Sequence, residues 1–174
     1  MEIVITKGLA SDHIAIRRAS GEAIETTFPK KGPVPHDAVH FFVEQGLGFA
    51  RGFWGLVAEG RHPEELAELA KAGGHASAAR AREPDAQIVQ LLQAERLVEC
   101  FEADLWSGGC DDEALWAMAR TACESSFVPL PPSLQTMAQR DALGRVRDAI
   151  AAFACDWFDG GEGFVARLDW PEAA

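Results

Sequence analysis

The first thirty residues alternate between apolar and polar positions. In EIVIT, Ile3 and Ile5 share one face; in HIAIRR, Ile14 and Ile16 do so; in EAIETTF, Ile24, Thr26 and Phe28 follow the same rule. A period of two predicts strands with one apolar face, and the Ser20-Gly21 pair between the second and third suits a short hairpin loop. The pattern therefore predicts a three-stranded antiparallel meander. Such a sheet is unstable alone and needs a covering layer.

The covering layer follows from residue 35, where the period lengthens to that of a helix. Pro35 suits the first helical position and Gly46 can end that helix. A second helix is predicted from about Phe49 to Glu59, and HPEELAELAKAGG reads as a short third one stopped by Gly73-Gly74. GGHASAARAREP has small residues and no apolar period, which predicts a mobile loop over 73–84. Residues 85–106 predict the clearest long helix, with Leu91, Ala94, Val98, Phe101 and Leu105 stepping by three and four. Asp111 or Asp112 caps the next helix, which turns Leu115, Met118 and Ala122 inward; FVPLPP is an extended connector. Ser133 then caps a last helix running to Phe158 through Leu143, Val146, Ile150, Phe153 and Trp157. The closing GFVARLDW alternates again and predicts a fourth strand returning to the meander. The expected architecture is one α+β domain over residues 1–174. Its small antiparallel sheet, three N-terminal strands plus a C-terminal one, is covered by about five or six helices.

Composition narrows the functional classes. A formal net charge of -11 argues against nucleic acid or an anionic membrane as partner, because both demand clustered Lys and Arg. No apolar run reaches the ~20 residues of a membrane span. The first residues lack the basic, apolar and small-residue segments of a secretory signal, so a cytoplasmic location is expected. Cys100, Cys110, Cys123 and Cys155 form no CxxC pair and read as small buried hydrophobes.

The stretch PVPHDAVHFFVEQGLG carries the one constellation with arguable chemistry. At ~100° per residue, His36, Val39, His40, Val43 and Leu47 fall in one sector, with Asp37 and Glu44 at its edge. Both imidazoles are thus expected to point inward, across the seam between sheet and helices. Imidazoles at i and i+4 can share one Zn²⁺. A third ligand would have to come from elsewhere: His62, His75, Cys110 or an acidic residue. A plainer account is available for Asp37, since a carboxylate in the first helical turn complements the free amides and the helix dipole.

Two other segments bear on the site. Glu95, Glu99 and Glu102 stand at i, i+4 and i+7 on the long helix. They read as a solvated flank, unless they face His36 and His40, when the two signals would merge. GLGFARGFWGLVAEG is expected to pack Phe53 and Trp54 into the core, while Gly52 and Gly55 let a neighbour approach. No phosphate-binding loop or GxSxG nucleophile elbow is present.

The helix His36-Asp37-Ala38-Val39-His40 resembles the HExxH helix of the zincin metalloproteases. That resemblance implies His36 and His40 as zinc ligands and Asp37 as general base. Aspartate in place of glutamate retracts the carboxylate by roughly 1.5 Å, which puts its reach to a metal-bound water in question. More broadly, VPHDAVHFFVEQGLG after a meander, then GFWGLVAEG and a tryptophan-ended ARLDW, resembles a family of small bacterial proteins with a PHDxxHF helix. This resemblance supports the fold and implies no activity. The expectation is a non-catalytic binding or interaction protein without cofactor, its partner another protein or a second copy of the chain. The alternative is a metal-dependent hydrolase built on the His36/His40 helix, with Asp37 or Glu44 as base and a third ligand from outside that helix.

Overall fold

The computed structural model describes the backbone of residues 1–80 and 84–171, with side chains except those of 74–80 and 137–139. Three strands open the chain: β1 (Glu2–Thr6), β2 (Ser11–Arg17) and β3 (Ala23–Pro29). A fourth, β4 (Val165–Asp169), pairs antiparallel with β1, giving the order β3-β2-β1-β4. The register follows from the alternation. Ile3 lies opposite both Ile16 and Leu168, Ile5 opposite both Ile14 and Ala166, and Ile16 opposite Ile24. A slip of one residue would turn all of these into solvent, so burial of one face pins the pairing.

Six α-helices lie between β3 and β4: α1 (His36–Leu47), α2 (Phe53–Ala58), α3 (Pro63–Arg80), α4 (Val89–Ser107), α5 (Asp112–Ser125) and α6 (Met137–Asp159). The fold is α+β, with the sheet composition and helix number the sequence predicts. None of these helices, over the described residues, is long and apolar enough to cross a membrane.

The boundaries depart from expectation where a local interaction wins. Pro35 is the N-cap of α1 with ψ 122°, not its first helical residue. Gly46 stays helical because its missing side chain admits Val146 of α6; the helix ends instead at Gly48, whose φ of 73° suits glycine. Helix α2 starts only at Phe53. Ser133 lies within a 3-10 turn, Pro132–Leu134, held by a hydrogen bond from Trp116 Nε1 to Leu134 O, and α6 begins after it. Helix α3 runs through Gly73-Gly74 to Arg80, so most of the loop expected over 73–84 is helical; residues 81–83 lie outside the described residues. At Gly73 the absent side chain leaves room for Ile88 and Leu92, which explains a glycine inside that helix.

Helix α1 is the central element. Its Ala38 and Phe41 join the apolar face of the sheet, with Trp54 of α2, Leu66 of α3 and Trp157 of α6. Its Val39, Val43 and Leu47 join a second core with Leu97, Val98, Phe101, Leu115, Leu143 and Ile150 from α4, α5 and α6. One helix thus contributes to both cores, and its N-terminal turn looks along the seam between them. Of the cysteines, Cys100 and Cys123 are buried as expected, whereas Cys110 is half-buried and Cys155 exposed on the outer face of α6.

Candidate metal centre

Where α1 crosses α4, the two histidines meet the glutamates. His36 and His40 are successive turns of one helix, and their rings pack edge to face with centroids 4.8 Å apart. Only 10% of the His36 side chain and 2% of the His40 side chain remain exposed. The inward orientation predicted from the wheel is what the structure has.

Each imidazole is held at Nδ1 by a different carboxylate. Nδ1 of His36 lies 2.9 Å from Glu102 Oε1, and Nδ1 of His40 lies 3.0 Å from Glu44 Oε1. These bonds fix the ring orientation with each Nδ1 donating to its carboxylate, so the two Nε2 atoms are the ones that a metal could engage by displacing their protons. Both Nε2 atoms turn toward Glu95. His36 Nε2 is 3.8 Å from Glu95 Oε2, and His40 Nε2 is 3.5 Å from Glu95 Oε1. These are ion-pair separations, beyond good hydrogen-bond length. His36 Nε2 is buried with no hydrogen-bond partner at all.

The donor atoms of His36, His40 and Glu95 all lie within 4.8 Å of one another. Tetrahedral zinc with bonds of about 2.0–2.1 Å needs ligand atoms about 3.4 Å apart, so the widest gap must close by roughly 1.4 Å. These groups could hold a metal ion. Two imidazoles and one carboxylate form a ligand set known from catalytic zinc sites, where a fourth position stays open.

The electrostatics are those of a desolvated cluster. Burial alone pushes the His40 imidazole down, but the charge of Glu95 and the bond to Glu44 outweigh it and raise its pKa to about 10. His36 is likewise depressed by burial and raised overall by the carboxylates of Glu102 and Glu95. Burial tends to raise Glu95, yet the two imidazoles hold its carboxyl well below the usual range.

Glu44 sits behind His40, not in front of it. Fully enclosed, it accepts the Phe53 and Trp54 amides at 2.8 and 2.9 Å. It thereby supplies the N-terminal cap that Gly52 cannot, and Gly52 has no side chain because the Glu44 carboxylate occupies that space. With both oxygens engaged and no face on the cavity beside His40, Glu44 is not positioned as the base that the sequence offered as an alternative.

Asp37 does line that cavity, together with His36, His40 and Glu95. It is half-buried, its backbone carbonyl accepts Trp54 Nε1 at 2.8 Å, and burial holds its carboxyl above the ordinary range against the pull of both histidines. The cavity measures about 1220 Å³, with Phe28, Phe53 and Ala70 among its apolar walls. Glu99 also faces it, paired with Arg96 at 2.8 Å.

Of the third-ligand candidates, the acidic residue is the one brought in, as Glu95. Cys110 lies instead beside Asp104, whose carboxylate accepts its amide at 2.7 Å, and the side chain of His75 lies outside the described residues. The orienting role of Glu102 was signalled by its place in the glutamate row; that of Glu44 had no sequence signal beyond its helix position. No family model matches the chain, and neither a curated protein nor a solved structure matches it.

Proposed function

We propose that this protein is a metal-dependent hydrolase with one zinc ion held by His36, His40 and Glu95. The observation that carries this reading is the buried Nε2 of His36, which makes no hydrogen bond and is aimed with His40 Nε2 at one carboxylate. A buried imidazole nitrogen left without a partner is costly in a purely structural cluster, and a metal removes that cost. Bound zinc would lower the pKa of a water and polarise a carbonyl or phosphoryl oxygen of the substrate. Glu102 and Glu44 hold the imidazoles in the ligand tautomer. Asp37, on the cavity wall with its proton affinity raised, is suited to take a proton from the attacking water and return it to the leaving group.

A second reading is favoured by the high proton affinity of His40. Without metal, protons on the imidazoles balance the carboxylates, and the cluster becomes an ion-pair network inside a non-catalytic binding domain. Elemental analysis separates the two. Under the metal reading the purified protein carries one zinc per chain, and His40→Ala abolishes it while the circular dichroism spectrum is kept. A wild-type protein that stays metal-free after dialysis against micromolar zinc supports the network and removes the hydrolase.

A further inference from the structure

Strand β4 pairs with β1 on one side and is an edge of the sheet on the other. The phase of its ladder decides which backbone groups are open. Phe164 O accepts the Lys7 amide at 2.8 Å and the Trp170 amide donates to Met1 O at 2.8 Å, so residues 164, 166, 168 and 170 turn toward β1. The amides and carbonyls of Val165, Arg167 and Asp169 therefore turn outward, where they meet no partner among the described residues. Their side chains lie on the exposed face, and Val165 is 43% exposed. Arg167 reaches Glu2 at 3.1 Å. Asp169 stands directly opposite Glu2 in the register, acid against acid, and makes no ion pair among the described residues. Like charges so placed are destabilising.

Two copies of this edge can pair antiparallel about a two-fold axis with outward residues opposite outward residues. An axis through Arg167 or through Asp169 sets like charges against each other. An axis through Ala166 sets Val165 against Arg167 and gives Asp169 no cation. An axis through Leu168 sets Arg167 of each copy opposite Asp169 of the other, and Val165 opposite Pro171. The other edge strand, β3, has no such register. Its outward positions, Ala23, Glu25, Thr27 and Pro29, hold one acid, no base and a proline without an amide. We infer that the protein forms a dimer by pairing the β4 edges of two copies around Leu168, which joins two four-stranded sheets into one. Each Arg167 then bridges Glu2 of its own chain and Asp169 of the other, since a guanidinium has donors for both. The open amides and carbonyls of Arg167 and Asp169 gain their ladder bonds, and each copy loses an exposed edge. Neither residue is a donor of the metal centre.

The test is sedimentation velocity over a concentration series on wild type, Arg167→Asp, Asp169→Arg and the double exchange, with circular dichroism confirming each fold. A reversible dimer is expected for wild type. Each single reversal sets like charges against each other twice per dimer and should weaken association roughly tenfold or more. The double exchange restores unlike pairs in the same register and gives Glu2 an arginine directly opposite, so it should dimerise again. A wild type that is monomeric at every concentration overturns the inference and leaves the edge to a strand from another protein. Dimers that both single variants keep unchanged place the interface elsewhere and overturn it. A double exchange that stays monomeric overturns it as well, because Arg167 and Asp169 then do not face each other across the axis.

Discussion

Glu44 is the residue whose removal has the most calculable consequence. Its two oxygens accept three donors: Oε1 takes His40 Nδ1 and the Phe53 amide, and Oε2 takes the Trp54 amide. None of these groups can reach water, because Glu44, Phe53 and Trp54 are all buried. A buried donor left unpaired costs about 1–3 kcal/mol. Glu44→Gln can rotate its amide to keep the doubly used oxygen and lose only the Trp54 bond, for a cost of about 1–3 kcal/mol. Glu44→Ala orphans all three donors and loses roughly 3–9 kcal/mol, comparable to the whole stability of a domain. Urea denaturation followed by tryptophan fluorescence measures both. The glutamine variant should unfold cooperatively at a lower midpoint with an unchanged slope, and should keep its zinc, since His40 Nδ1 is still held. An alanine variant within about 0.5 kcal/mol of wild type, inside the scatter of surface substitutions, would refute the reasoning. So would a glutamine variant as damaged as the alanine one, for then charge and not bond count would be responsible.

Three further outcomes are expected. Glu102→Gln should weaken zinc binding roughly 10–100-fold in a competitive chelator titration without unfolding the protein, because His36 loses its charged orienting partner. Gly52→Ala, at a position with ordinary negative φ, should still destabilise by an amount close to Glu44→Gln, since the new methyl collides with the Glu44 carboxylate; thermal melts compare the two. Asp104 tends upward on burial, but hydrogen bonds from Cys110 and Arg147 hold its carboxyl below 3.8. A depressed folded value means its stabilisation is complete above 3.8 and is lost as pH falls through the lowered value. The stability gap between wild type and Asp104→Asn should therefore be constant near neutrality and shrink in acid; a gap that widens in acid would contradict the assignment.

Much of the architecture was readable because it rests on periodicity. The alternation of Ile3, Ile5, Ile14 and Ile16 sets the sheet register, and the helical spacing of His36 and His40 sets their common direction. The site was half-readable. The glutamates of α4 formed a visible row, but only the crossing of α1 over α4 decides that Glu95 and Glu102 meet the imidazoles while Glu99 turns to Arg96. No local pattern encodes that crossing, because it is set by the packing of Val39 and Val43 against Leu97 and Phe101. The capping of α2 by Glu44 was hidden for a similar reason: its donors are nine and ten residues away across a turn. The ends of α1 and α3 were misplaced because glycine marks both helix termini and close contacts. Gly46 and Gly73 proved to be contacts with Val146 and with Ile88 and Leu92.

The pairing of β1 with β4 sets the order of events during synthesis. Val4 emerges from the ribosome more than 160 residues before its neighbour Arg167, so one edge of the nascent hairpin stays bare until the final strand is made. Closing so long a separation is slow, and the waiting edge is open to other chains in the meantime. A chaperone that shields that edge during translation should raise the yield of native protein more than one supplied after release.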